Sequence, residues 1–309
     1  MIIFNYIVVC LVFGTTFLAI KVGMDAAAPP FFSAGTRFLV AGLVLYLLMV
    51  LRKKASFTLF LRKEMLLSGI GLTFGTFACL YWGEQYISSG IAAVLSATGP
   101  LIILVLQAVL LKQKGGPLSV IGVLVGLAGV ALLVLPSITV STGKWWVIGC
   151  LVVLLGEVFY SAGTLYSKWV TELLSEVSPI ALNSAQMIYG GALLLLLSAL
   201  TEQVEIGNML RPAALGSLLY LIVFGSMIGH SLFYWLVAKT NPVFPSTWLY
   251  VSPLIALTIG ALFYGESVNW VSVAGGVTII VGTILTNWDN LKPLRAYPSK
   301  VTKNERDPC

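Results

Sequence analysis

Apolar runs of about 20 residues recur along the whole chain, separated only by short charged, proline-bearing or glycine-rich breaks. A run of that length spans the ~30 Å hydrocarbon core of a bilayer as a helix. In lipid, a helix or a closed barrel is needed to satisfy every backbone N–H and C=O. Only 10% of the 309 residues are charged and the mean hydropathy is +0.97, against about 25% charged residues in a soluble domain. Too little polar surface exists for a globule in water, so the chain reads as an all-α polytopic membrane protein.

Ten spans are predicted: Ile3 to Met24, Phe31 to Leu51, Met65 to Tyr86, Gly90 to Leu111, Pro117 to Pro136, Trp146 to Val170, Val177 to Leu200, Ala213 to Ala238, Val243 to Tyr264 and Trp270 to Asn287. The first run ends near Ala26-Ala27-Ala28, like a signal peptide before its cleavage site, but no Lys or Arg precedes it, so it is read as a retained span. Lys and Arg set orientation. They gather between spans two and three, between four and five, at Lys168 and Lys239, and in the tail, while Lys144 and Arg211 stand between spans on the other side. Both termini are therefore expected in the cytoplasm, with residues 289–309 a basic, disordered tail.

"SATGPLIILVL" at 96–106 and "LYVSPLIALTI" at 249–259 raise a second question, because both carry Pro-Leu-Ile. A shift of 153 residues lays Tyr81-Trp82 on Tyr234-Trp235, Pro100 on Pro253 and Gly122 on Gly275. A shift of 147 lays Lys21 on Lys168, and one of 149 lays "GTRFLVAG" on "SAQMIYGG". The chain reads as two copies, residues 1–140 and 141–288. Five spans per copy is an odd number, so the second copy enters the membrane inverted, as in carriers that expose a midplane site alternately to each side.

The stretches "FGTTFLAIKVGMDAAAPPFFSAGTRFLVAGL", "YWGEQYISSGIAAVLSATGPLIILVLQAVLL" and "SPLIALTIGALFYGESVNWVSVAGGVTIIVGTIL" resemble the EamA-type family of the drug/metabolite transporter superfamily over nearly the whole chain up to Asn287. The resemblance implies export or exchange of amino acids and other small metabolites, and a cavity lined by helices one, three, four, six, eight and nine. Two positions depart from the family pattern. Gly265-Glu266 follows the ninth span, but Lys112-Gln113 replaces Gly-Glu after the fourth, and Gln186 stands where the second copy would repeat Arg37.

Glu157 lies near the middle of the sixth span, where an ionised carboxylate costs on the order of 2.5–3.5 kcal/mol on insertion scales. It is expected to face a cavity or a partner, with Ser161, Thr164 and Lys168 following at helical spacing as one polar stripe. It reads as a substrate contact and proton-coupling group, or as an interhelical hydrogen bond. His230, the only histidine, is a second candidate for coupling or substrate contact, with Tyr234 one turn on, and is equally readable as a packed histidine. Lys21, Lys168 and Arg37 are candidate gate residues. The lysines also read as helix C-terminal cations, and Arg37 as a partner for Asp25 or Glu84. Pro100 and Pro253 would free a carbonyl and supply hinges or cavity lining. Thr15, Thr16, Tyr81, Ser96, Tyr160 and Tyr250 complete the predicted lining. Gly71 with Gly75 and Gly225 with Gly229 are small-residue pairs for close helix contact.

The sequence holds no GxxxxGK[ST], GxSxG or HExxH, and Cys10, Cys79, Cys150 and Cys309 have no metal-ligand spacing. An enzyme, a cofactor, a bound metal and a nucleic-acid partner are therefore not expected. The expectation is a plasma-membrane carrier of small metabolites, most plausibly amino acids, acting in the bilayer as a monomer. Multidrug or lipophilic-cation efflux is the alternative.

Overall fold

Within lipid, an apolar run lowers its free energy by closing its own backbone hydrogen bonds, and helices result wherever the run is uninterrupted. The computed structural model describes residues 1–112, 116–134, 143–264, 270–286 and 288. Its main helices are α1 (Ile2–Asp25), α2 (Pro30–Leu51), α3 (Lys63–Gly83), α4 (Ser89–Leu110), α5 (Pro117–Val134), α6 (Lys144–Leu173), α7 (Pro179–Thr201), α8 (Pro212–Lys239), α9 (Trp248–Tyr264) and α10 (Trp270–Thr286). Seven of them, α1 to α4 and α6 to α8, are long and apolar enough to cross a membrane; α5, α9 and α10 contribute shorter apolar helices. The described residues contain no strand. Gln113, Gly265-Glu266 and the tail 289–309 lie outside the described residues.

The helix ends follow local chemistry. Pro30, Pro179 and Pro212 open α2, α7 and α8, positions where a missing N–H costs nothing. Glu202, beyond α7, accepts the Phe31 and Phe32 N–H groups at 2.7 and 2.9 Å, capping α2 from the other half of the chain. α1 and α2 stop in left-handed residues, Ala27 and Lys53. The turns close with Ala28 N–H to Gly23 O at 3.1 Å and Lys54 N–H to Met49 O at 2.8 Å.

Three spans are less regular than predicted. α3 and α8 each contain a π-helical stretch, Gly69–Gly75 and Leu221–His230, in places related by the sequence repeat. Such windings are uncommon and cluster at functional sites. α4 breaks at Ala97-Thr98, so Pro100 stands in the first turn of a new segment, Gly99–Leu110, where it removes no intrahelical bond. Pro253 does lie inside its helix, and the neighbouring break falls earlier, between Val243–Ser246 and α9. The two prolines therefore differ in what they do to the backbone.

Glycines set which helices touch. A Cβ at Gly42 would lie 2.8 Å from Ile188 Cγ1 and 3.0 Å from Ser184 O, and one at Gly191 would lie 2.5 Å from Leu39 N and 3.0 Å from Gly35 O. As positions rise along α2 they fall along α7, so these helices pack antiparallel. The contacts are also reciprocal, because Leu39 and Gly35 align with Ile188 and Ser184 in the repeat. The same holds for α5 and α10: Gly122 meets Gly282 O at 2.8 Å, and Gly129 meets Gly275 O at 2.9 Å. A Cβ at Gly71 would lie 2.9 Å from Gly163 Cα of α6, and one at Gly225 would lie 3.3 Å from Thr16 Cγ2 of α1. The predicted small-residue pairs thus do serve close helix contact.

Candidate functional site

α1, α2, α3, α4, α6, α8 and α9 converge on a cavity of about 40 Å³. That is room for roughly three waters, at 10–15 Å³ each. The apolar part of the cavity wall is mostly aromatic: Phe13 and Phe17 of α1, Phe77 of α3, Tyr160 of α6, Phe233 of α8 and Trp248 of α9. Thr16, Thr76, Ser96, Arg37, Glu157 and His230 bring polar atoms to it.

The polar groups have distinct surroundings. Tyr160 Oη donates to Ser246 Oγ at 3.1 Å and accepts from Trp248 Nε1 at 3.2 Å, tying α6 to the break before α9. Glu157 is buried, and neither its Oε2 nor Ser96 Oγ has a hydrogen-bond partner among the described residues. Gly99 makes room for this carboxyl, since a Cβ there would lie 2.7 Å from Oε2. His230 packs its ring against Phe13, Phe38 and Phe77 at centroid distances of 5.0, 5.3 and 5.6 Å. Arg37 is 1% exposed. Its Nε donates to Ser226 Oγ at 2.8 Å and its Nη1 to Tyr81 Oη at 3.4 Å, with Phe38 and Phe77 beneath the guanidinium.

Thr16, Ser96, Glu157, Tyr160, His230 and Arg37 of the predicted set thus share one cavity. The pairing expected for Arg37 is not found: Asp25 bridges Lys21 at 3.3 Å, and both Glu84 carboxylate oxygens lack a hydrogen-bond partner among the described residues. Arg37 turns instead toward the cavity. The stripe from Glu157 to Lys168 also divides. Eleven residues at 1.5 Å each cover about 16 Å, so only its start reaches the cavity. Ser161 Oγ donates to Gly99 O at 3.2 Å, Thr164 Oγ1 to Tyr160 O at 2.7 Å, and Lys168 sits beyond them.

Thr15 bonds Tyr220 Oη on α8. Tyr250 packs beneath Gly126 of α5, Tyr234 is buried outside the cavity lining, and Pro100 and Pro253 are not among the lining residues. Lys21 and Lys168 occupy matching places at two helix ends. Each bridges the acid four residues on, Asp25 or Glu172, at 3.3 Å. Each also donates to a carbonyl at a helix end, Glu84 O just beyond α3 at 3.3 Å or Ala238 O in the last turn of α8 at 3.2 Å. Phe13, Phe17, Phe77, Phe233 and Trp248 escaped the sequence reading, because an aromatic residue in an apolar span carries no mark of whether it meets lipid or cavity.

The profile of the EamA-like transporter family matches residues 1–135 and 147–288. The chain is similar to the "Uncharacterized inner membrane transporter YedA" of Escherichia coli K12, 27% identical over 95% of this chain and 93% of the relative. It is also similar to "Protein PagO" of Salmonella typhimurium, 26% identical over 91% of each. A protein of known crystal structure, 18% identical, shares the fold over 92% of this chain and 96% of its own length with a TM-score of 0.75.

Proposed function

Because the chain belongs to the EamA-like transporter family, we propose that it is a multi-pass plasma-membrane carrier, not an enzyme, that exports or exchanges small metabolites, amino acids first among them. Ten spans in two inverted five-helix copies, 1–140 and 141–288, with both termini cytoplasmic, would rock about the central cavity. The observation that carries this reading is the cavity itself, lined from both copies by aromatic walls and by Arg37, Glu157 and His230. The reciprocal, antiparallel glycine contacts of α2 with α7 and α5 with α10 support the inverted repeat. The inner-membrane designation of the Escherichia coli relative supports the location.

The test is counterflow in proteoliposomes loaded with unlabelled amino acids and offered labelled ones. Accumulation of label without any ion gradient is the expected result. Failure with folded protein across all amino acids, but uptake of lipophilic cations, would favour drug efflux instead.

Glu157 is the proposed proton-coupling group. Arg37, His230 and Tyr160 are the other titratable groups facing the cavity with it. Glu157→Gln is expected to keep counterflow while losing any stimulation of net flux by a pH gradient; unchanged stimulation sinks the coupling.

The matched clamps of Lys21 and Lys168 are proposed gates, one at each side of the membrane. Each ion pair is partly exposed and worth about 0.2–1 kcal/mol. Lys21→Met and Lys168→Met should therefore barely change melting, yet slow exchange several-fold. Equal loss of melting and transport would make them caps only.

A further inference from the structure

Arg37 is a buried cation whose protein partners are all neutral. Its guanidinium is 1% exposed, and its hydrogen bonds go to the Ser226 and Tyr81 hydroxyls. No carboxylate lies within 4 Å of it among the described residues, where the ion pairs are Lys21 with Asp25 and Lys168 with Glu172. Its Nη2 makes no hydrogen bond there and packs against Gly225, where a Cβ would lie 2.8 Å from it. Phe38 and Phe77 hold the guanidinium plane from below at 4.6 and 5.1 Å. The group is thus held by two hydroxyls and two aromatic rings, and it borders the cavity.

The cation also occurs once. In the second copy Gln186 occupies the repeat-related position, and it is spent on Thr73 Oγ1 at 2.8 Å and Asn183 Oδ1 at 3.0 Å. Packing symmetry therefore does not require a charge at this place.

We propose that Arg37, mounted by Ser226 and Tyr81, is the anchoring subsite for a carboxylate on the transported molecule. A planar carboxylate matches the fork of a guanidinium, and it supplies the counter-charge that the buried cation lacks. Glu157 lines the same cavity with an unpartnered Oε2, so a ligand bearing both a carboxylate and a donor group fits better than a lipophilic cation, which would meet Arg37 as like charge. This inference rests on the carrier reading for its ligand set, but it is a statement about binding and is tested as one.

The test is thermal stabilisation of the purified full chain by each proteinogenic amino acid, against its α-amide and its decarboxylated amine. The expected result is that at least one amino acid stabilises the wild type, with its amide and amine at least tenfold weaker in midpoint concentration. Arg37→Lys should keep the preference at reduced affinity, and Arg37→Gln should abolish it. If Arg37→Gln does not fold, the wild-type comparison and Arg37→Lys still decide. Amides or amines binding as well as the acids overturn the subsite, and so does the absence of stabilisation by every acid. Counterflow that persists while amides compete equally would remove the carboxylate subsite and leave the carrier standing. A carboxylate preference in a protein showing no counterflow would do the reverse.

Discussion

Gly191→Leu is expected to abolish recovery of folded, monodisperse protein in detergent. A Cβ at this position falls 2.5 Å from Leu39 N and 3.0 Å from Gly35 O, and these are backbone atoms that no rotamer change can move aside. Overpacking a core costs about 1–3 kcal/mol and occasionally more. Here it must separate α2 from α7 along their whole seam, which includes the matching contacts at Gly35 and Gly42. The expected loss therefore exceeds that range, against a total stability of about 5–15 kcal/mol for a folded protein. Gly216→Leu is the control, since nothing lies within 4 Å of its Cβ position. Size exclusion and melting of both variants make the measurement. A Gly191→Leu protein that melts within about 3 °C of wild type, roughly 1 kcal/mol at this size, would show that α2 and α7 do not pack as described.

Gly99→Leu is expected to reduce exchange at least tenfold, about 1.4 kcal/mol in the barrier, while the protein still folds. The obstacles here differ in kind. A Cβ at Gly99 meets Glu157 Oε2 at 2.7 Å and Leu249 Cδ1 at 2.9 Å, both far ends of flexible side chains that can turn away. Both line the cavity, so the added side chain displaces them at its wall. Proteoliposome counterflow alongside a melting curve separates the two effects. Full exchange by a folded Gly99→Leu protein would mean that the path does not pass Glu157.

Much of this was legible in the sequence, for reasons that trace to single residues. Lipid forces a helix on every long apolar run, so the first, second, sixth and seventh spans lie within a few residues of their expected ends. A polar residue inside such a run must have somewhere to go, and this is why Thr16, Ser96, Glu157, Tyr160 and His230 could be named and do meet in one cavity. Thr15, Thr164 and Tyr250, also named, lie outside the cavity lining for a related reason. Thr164 satisfies its hydroxyl on the carbonyl one turn back and Thr15 on Tyr220, while Tyr250 has the bulk to serve as packing between α5 and α9. A hydroxyl in an apolar span is therefore weaker evidence for a cavity than a charge.

Run length and hydropathy along one strand of residues were enough to give the lipid setting and the helices, and recurring strings such as Pro-Leu-Ile raised the expectation of a duplication. The tertiary structure decided which helices meet and where each buried polar atom points. It took Arg37 away from Asp25 and Glu84 and mounted it on Ser226 and Tyr81, and it chose Phe13, Phe77 and Trp248 over other aromatics for the cavity wall. Those choices depend on the rotation of each helix about its axis. That rotation is fixed by backbone contact at glycines on different helices, a geometry between distant segments that no periodicity along the chain encodes.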